Sequence, residues 1–218
     1  MTDKNQDDAY LQLYHLADEL RGIANYGIMN TSSPYAMENY RKVLNASARI
    51  VSILDKQPFD NVMTQYESNM GHISPAVGVE TAVFQDEKIL LMRRHDDGLW
   101  AIPGGMVDVG ETLTDSALRE LEEEGGMSGK IIRLLGIFDS RLWKTRYKLH
   151  LYHVIFEVSV ENETPVVTRE ATDWGYFSAN DLPGLSPGHD MRVPVLFKLL
   201  DGSMEAPYTD PPDLLDTE

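Results

Sequence analysis

The stretch GGMVDVGETLTDSALRELEEEGGM, residues 104–127, decides how this chain is read, because it crowds Glu120, Glu122, Glu123 and Glu124 into five positions. A helix fits its middle. Thr112 can cap the N-terminus, with Asp115 three residues on in a variant of the capping box, and Gly125-Gly126 can end the helix. At 3.6 residues per turn, Ala117, Leu118 and Leu121 make an apolar stripe suited to packing on a sheet. Glu120, Glu123 and Glu124 fall together on a different side, at the spacing of touching neighbours, while Glu122 points elsewhere. Like charges at that spacing repel, and the C-terminal end of a helix already disfavours anions. A hard divalent cation would relieve both. Oxygen-only ligation favours Mg²⁺ or Mn²⁺ over zinc. The competing reading is a solvated acidic helix face.

Working outward, the 218 residues suit one catalytic-size domain with a small appendage. The net charge of −16 argues against a nucleic-acid or anionic-membrane surface, since both need clustered Lys and Arg. Cysteine is absent, which removes disulfides, zinc-thiolate sites and a Cys nucleophile and suits a reducing cytosol. The N-terminus MTDKNQDD is polar and acidic, and no apolar run reaches the roughly 18 residues of a membrane helix. The expectation is a cytoplasmic protein without membrane or nucleic-acid partners.

Before the glutamate stretch, DDAYLQLYHLADELRGIANYGIM has helical spacing at Leu13, Leu16, Ala17, Leu20, Ile23 and Ala24, and the helix is expected to stop near Gly27. Ser33 can cap a second helix that starts at Pro34 and ends before Pro58. This helical hairpin is expected to span 1–67 as an N-terminal domain, packing on its own chain or on a second copy in a homodimer. From His72 the pattern turns to strands. AVGVETAVFQDEKILLMRR reads as two strands around a turn at Gln85 to Lys88, IIRLLGIFDSR and YKLHLYHVIFEVSV continue, and TDWGYFSANDLP adds a short one. One helix, the glutamate-bearing one, lies between them. The catalytic domain is expected over 68–204, and the acidic, proline-rich end 205–218 as a flexible tail.

The whole stretch fits the pattern G-x5-E-x7-R-E-U-x-E-E-x-G-U, with U a bulky aliphatic residue, through Gly105, Glu111, Arg119, Glu120, Leu121, Glu123, Glu124, Gly126 and Met127. It closely resembles the box of the Nudix hydrolases, which split a nucleoside diphosphate linked to another moiety X. LWAIPGG before it also resembles the family, and Met127 departs mildly, being unbranched. ELRGIANYGIMNTSSPYAMENYRKV is similar to the helical domain that precedes the Nudix domain in bacterial hydrolases of X-linked nucleoside diphosphates. The resemblance implies an α+β fold, a Nudix-type α/β/α sandwich with a mixed sheet behind a small helical hairpin domain. It further implies that Glu120, Glu123 and Glu124 hold the metal, with the Gly105 carbonyl nearby, and that Glu111 and Arg119 form a supporting ion pair. Glu170 is the outside candidate for general base, against an ordinary exposed loop glutamate. Gly104, Gly105, Arg93, Arg94 and Arg146 are the candidate substrate contacts.

Arg93 and Arg94 are neighbours on one strand, so at most one faces the cleft. Lys144, Arg146, Lys148 and His150 would share one strand face, as a phosphate or sugar site or as a charged edge that resists aggregation. Trp100, Trp143 and Trp174 could stack a base or simply pack. GLSPG at 184–188, followed by His189 and Asp190, satisfies G-x-S-x-G. Pro187 has no N–H for an oxyanion hole, so the segment reads as a loop. The expected function is Mg²⁺- or Mn²⁺-dependent cleavage of a small nucleoside diphosphate derivative to a nucleoside monophosphate and phospho-X, ADP-ribose first and CDP-choline second. A module that binds a nucleotide-sugar without cleaving it is the alternative.

Overall fold

The computed structural model describes residues 4–71, 73–143, 145, 149–161 and 164–212, with side chains from residue 9 onward. The chain forms two compact units, Met1–Pro75 and Ala76–Glu218. Each is built around its own core.

The first unit holds three helices, α1 (Lys4–Asn30), α2 (Pro34–Asp55) and α3 (Phe59–Ser68). Helix α2 starts as its sequence predicts, with the Ser33 hydroxyl accepting from the Ala36 N–H at 3.3 Å and Pro34 in the first turn. Its last turn closes on Lys56 in the left-handed region, φ 52°. Two expectations need correction. Helix α1 runs three residues past Gly27, to Asn30, and Pro58 not only stops α2 but serves as N-cap of α3, a helix the sequence reading did not contain. Ala24, Leu44, Ala48, Val62 and Tyr66 form the core between the three helices. Inside it the Ser47 hydroxyl donates to the Ala17 carbonyl at 2.7 Å and lies 3.1 Å from the Tyr66 hydroxyl, so these two buried hydroxyls are satisfied.

The second unit is a mixed sheet between two helices. Strands β1 (Ala76–Gln85), β2 (Lys88–Arg94), β3 (Trp100–Ala101), β4 (Gly104–Met106), β5 (Gly129–Asp139), β6 (Leu151–Val160), β7 (Ala171–Ser178) and β8 (Tyr208–Thr209) are joined in the order β3-β2-β1-β6-β5-β8. Strand β4 adds to β1, and β7 to β2. The pairs β1–β6 and β5–β8 are parallel and the rest antiparallel. Asp86 and Glu87, both at positive φ, make the tight β1–β2 turn that the polar QDEK stretch predicts.

Alternation along β1 sends Val79 and Val83 to one face and Ala82 to the other. On the first face α4 (Leu113–Gly125) buries Ala117 and Leu121, and Met127 packs there as its position requires. On the second, α5 (His189–Leu200) buries Val193, Leu196 and Leu199 against Ala82, Ile89, Leu135, Phe138 and Ile155. This is the expected α/β/α sandwich. Helix α5 itself was not anticipated: it contains Pro194 and lacks a side-chain cap, so the usual start signals are missing.

The end of the chain also departs from expectation. Within the stretch expected to be a tail, Tyr208 stacks on Phe138 with ring centroids 5.0 Å apart, and β8 pairs with β5. Residues 205–212 are thus part of the sheet domain, because aromatic burial outweighs the local Pro and Asp content. Residues 213–218 lie outside the described ones.

Candidate active site

Helix α4 sets the geometry. The Thr112 hydroxyl accepts from the Asp115 N–H at 3.1 Å and donates to the Asp115 carboxylate at 2.7 Å, a side-chain version of the capping box. Gly126, φ 64°, closes the other end with its N–H on the Glu122 carbonyl at 2.7 Å. Between those caps the glutamates take unlike positions. Glu123 is largely exposed at 60%, Glu120 is at 13%, and Glu124 is buried against the sheet.

Glu124 meets the turn between β3 and β4. Its Oε2 accepts from the Gly104 N–H at 2.7 Å. Gly104 sits at φ 155°, and a Cβ there would strike the Val79 carbonyl and come within 2.7 Å of Glu80 Cα. Only glycine lets the turn lie this close to β1. At Gly105 a Cβ would run into the Glu120 carboxylate, so both carboxylates reach the same turn from one side.

Arg119 organises the outer part. Its Nε lies 2.9 Å and 3.2 Å from the two Glu111 oxygens, Nη1 donates to Glu120 at 2.9 Å and Glu123 at 3.1 Å, and Nη2 donates to the Met106 carbonyl at 3.2 Å. Ser116 adds a short hydrogen bond to Glu111. The structure therefore brings Glu111 and Arg119 together, and their contact holds the loop before α4 to the helix. Glu111 is held low, at about 2, first by the Arg119 hydrogen bonds and then by Ser116.

Burial moves the inner carboxyls the other way. Glu124 is pushed up to about 8, mainly by desolvation, with Glu120 and Glu170 adding repulsion against the Gly104 N–H and Arg94. Glu120 is raised for the same first reason, partly offset by Arg119. A cation would offset this cost. Among the described residues no three carboxyl or imidazole groups converge as a ready cage. The two near-buried carboxyls and the exposed third nevertheless make up an oxygen-only set of side chains. It suits a small hard ion that keeps several of its waters.

The remaining candidates separate. Glu170 is exposed, yet close enough to disfavour ionisation of both Glu120 and Glu124. Of the two strand arginines, Arg94 is half-buried, forks onto Asp96 at 3.0 Å and 3.0 Å, and lies near enough to Glu124 to favour its charge. Arg93 is exposed and donates to the Gly98 carbonyl at 3.0 Å. Of the basic stripe, His150 precedes β6, which begins at Leu151, and lies 3.1 Å from Asp139. Arg146, Lys144 and Lys148 fall outside the described residues. All three tryptophans pack: Trp100 against Phe177, Trp143 against Phe138, and Trp174 with its Nε1 on the Val166 carbonyl at 2.9 Å.

The G-x-S-x-G stretch is not a nucleophile site. Leu185 does form a bridge with Trp100, and α5 does begin at His189, so the segment is more structured than a loop. Ser186, however, is buried and gives its hydroxyl to Asp97 at 2.9 Å, while His189 Nδ1 accepts the Ile102 N–H at 3.3 Å. Sequence reasoning missed the enclosed group formed by Glu80, His153, His189 and Arg192. A glutamate in the run AVGVETAVF, apolar apart from it and Thr81, was the one signal for it.

Comparison with known proteins agrees with this architecture. The NUDIX domain profile matches residues 74–199. A Bacillus subtilis (strain 168) protein, YjhB, provisionally named an ADP-ribose pyrophosphatase, is 28% identical over 84% of this chain and 90% of its own length. An ADP-ribose pyrophosphatase of Methanocaldococcus jannaschii is 33% identical over 56% of this chain and 73% of its own. Among solved structures, a UDP-X diphosphatase superposes with a TM-score of 0.59 at 23% identity, covering 92% of this chain and 99% of that one, the N-terminal helices included. An ADP-ribose pyrophosphatase from Streptococcus suis gives 0.54 at 29% identity over 62% of this chain and 98% of that one. With its sandwich, its glutamate helix and a profile match over more than half its length, the chain belongs to the Nudix hydrolase family.

Proposed function

We infer that this hydrolase is a divalent-metal-dependent pyrophosphohydrolase that splits a nucleoside diphosphate linked to X into a nucleoside monophosphate and phospho-X, with Mg²⁺ or Mn²⁺ as the ion. The observation that carries the reading is the approach of Glu120 and Glu124 to the Gly104–Gly105 turn from one side. Glu120, Glu124 and Glu123 would hold the ion together with the Gly105 carbonyl. When bound, such an ion neutralises phosphate charge and lowers the pKa of a coordinated water.

The chain's own groups do the rest. Arg119 ties Glu111, Glu120 and Glu123 into one arrangement, so the carboxylates are aimed before substrate arrives. Arg94, at the cleft edge, is the better placed of the two arginines to meet a phosphate. Glu170 lies beside the carboxyl pair, carries no ion-pair partner among the contacts described above, and is the candidate to take a proton from the attacking water. ADP-ribose is the first substrate to test, on the names of the Bacillus and Methanocaldococcus relatives, and CDP-choline the second. Exposed Leu13, Leu16, Ile23 and Tyr26 on α1 support association of two copies through the helical unit, which sedimentation would test.

The test is a panel of ADP-ribose, CDP-choline, UDP-sugars, dinucleoside polyphosphates and nucleoside triphosphates, each with Mg²⁺, Mn²⁺ or EDTA. Metal-dependent release of AMP or CMP from one diphosphate ester is expected. Tight binding of one compound with no turnover of any would replace the hydrolase reading with a sensor that holds a nucleotide-sugar.

A further inference from the structure

Behind the catalytic turn, on the α5 side of the sheet, the protein encloses four polar side chains: Glu80 of β1, His153 of β6, and His189 and Arg192 of α5, each less than a tenth exposed. Glu80 Oε1 accepts from Arg192 Nη2 at 2.6 Å and lies 2.9 Å from His153 Nδ1. Glu80 Oε2, His153 Nε2, and Arg192 Nε and Nη1 have no hydrogen-bond partner among the described residues. An apolar set of the same volume would commonly be no less stable than such a buried ion pair. Its retention calls for an explanation beyond packing.

What the group touches supplies one. The segment 102–104 is held from beneath at three points. The Ile102 N–H donates to His189 Nδ1 at 3.3 Å, the Pro103 carbonyl accepts from the Thr81 N–H at 2.8 Å, and Gly104 stands opposite Glu80 in the β1–β4 register. The Glu80–Arg192 pair fixes the first turn of α5 to β1, and that turn carries His189. On the other side of the same short segment, the Gly104 N–H holds Glu124. The ion pair, the histidine and the Glu124 amide contact therefore form one continuous path through the sheet.

We propose that Glu80, His153, His189 and Arg192 are positioning residues for the hydrolysis, which hold the 102–104 segment so that its Gly104 amide fixes Glu124 in the catalytic cleft. None of them reaches substrate. The proposal rests on the hydrolase reading given above only for its activity readout. His189 contributes an unprotonated Nδ1 as acceptor, and the other three contribute the fixed position of α5.

The experiment compares His189→Leu with His189→Asn in the full-length protein. Asparagine can present Oδ1 where the imidazole presents Nδ1, whereas leucine fills space without accepting. His189→Leu is expected to lower kcat about tenfold or more with KM changed less than about twofold, and His189→Asn to recover most of the loss. Amide exchange of the peptide containing 102–105, read by mass spectrometry, should rise selectively in His189→Leu and stay near wild type in His189→Asn. Equal losses in both variants would mean simple packing and overturn the proposal, as would wild-type exchange in a folded His189→Leu. Should His189→Leu not fold, the double variant Glu80→Leu/Arg192→Leu replaces the ion pair by apolar groups. A folded double variant with unchanged exchange and kcat also overturns the proposal. If no compound of the panel is cleaved, the hydrolase reading fails, while the exchange measurement still decides whether this cluster orders the turn.

Discussion

Glu124 and Gly104 are joined by a 2.7 Å hydrogen bond in which a backbone amide holds a buried carboxyl and partly offsets what burial does to it. Glu124 is buried while Glu123, one residue before it, is 60% exposed. The carboxyl is pushed up to about 8, first by burial. Its folded value thus lies above the unfolded one, so its protonated form stabilises the metal-free protein below about pH 4.5 and that contribution fades as pH rises through 8. Glu124→Gln keeps an acceptor for the Gly104 N–H and never ionises. In EDTA at pH 8–9 it should melt above wild type, with the gap closing toward pH 4.5 and shrinking when Mg²⁺ is added. Its activity should fall about 1000-fold or more, as for loss of a group acting only on the reacting centre. A variant with full activity would remove Glu124 from the chemistry.

Gly104→Ala tests the close approach itself. A methyl group there would meet the Val79 carbonyl and Glu80 Cα, both backbone, so no side chain can swing away to make room. The strain should cost about 1–3 kcal/mol, measured as a shift in the urea midpoint. Activity should fall further than stability, because displacing the turn takes its amide from Glu124. Wild-type rates in a strained but folded Gly104→Ala would separate the turn from catalysis.

Arg119→Lys should be poorly tolerated although the charge is kept. Arg119 contacts Glu111, Glu120, Glu123 and the Met106 carbonyl together, and a single ammonium cannot span that fan of acceptors. The expected loss is about ten- to a hundredfold in kcat/KM, with a higher metal concentration needed for half-maximal rate. Unchanged metal dependence would show that the carboxylates keep their arrangement without it.

Much of this site was legible in the sequence, and the parts that were not have physical causes. The caps of α4 follow from spacing and local chemistry, which a sequence displays directly, whereas the Glu111–Arg119 pair and the turn glycines were implied by the resemblance to the Nudix box. The unequal glutamates were also readable. Glu124 lies seven residues after Ala117, and seven steps of 100° leave it only about 20° from that buried alanine on the helix wheel. Grouping it with Glu123 by spacing alone obscured this. The Glu80 cluster was not legible, because it joins β1, β6 and α5 across more than a hundred residues of chain. Helix α5 and strand β8 were missed for a related reason: their local signals, Pro194 and the Pro- and Asp-rich end, are outweighed by burial of Leu196, Leu199 and Tyr208.

Acid stability should follow the enclosed cluster. Burial drives His189 down to about 3, with the Arg192 charge adding to it and Glu80 opposing. An unfolded histidine takes up a proton near 6.5 that the folded one refuses, so stability falls as pH drops from 6.5 toward 3. Burial opposes the charge on Glu80, but Arg192, His153 and His189 outweigh it and hold its carboxyl low. Its contribution is present above about pH 4.5 and is lost as pH falls, in the same direction. Urea midpoints taken from pH 7 to 3.5 should decline less steeply in His189→Asn than in wild type. Parallel declines would place acid lability elsewhere.

Asp210 shows why the last residues of the described chain belong to the domain. Its Oδ2 accepts the Asp139 N–H at 2.6 Å, and its Oδ1 accepts Trp143 Nε1 at 2.7 Å and the Tyr208 hydroxyl at 3.2 Å. It thereby ties β8, the end of β5 and the loop after it into one knot beneath the stacked Phe138 and Tyr208 rings. Asp210→Ala would leave the Asp139 amide and the indole N–H without their acceptor. Each lost partner costs about 1–3 kcal/mol where water cannot replace it. The variant should therefore unfold at lower urea, with Trp143 exposed and its emission shifted to the red. A truncation after residue 204 should do the same and add the loss of Tyr208 packing. If the truncated chain instead keeps the wild-type midpoint and emission, residues 205–212 would be the free tail that their composition suggests.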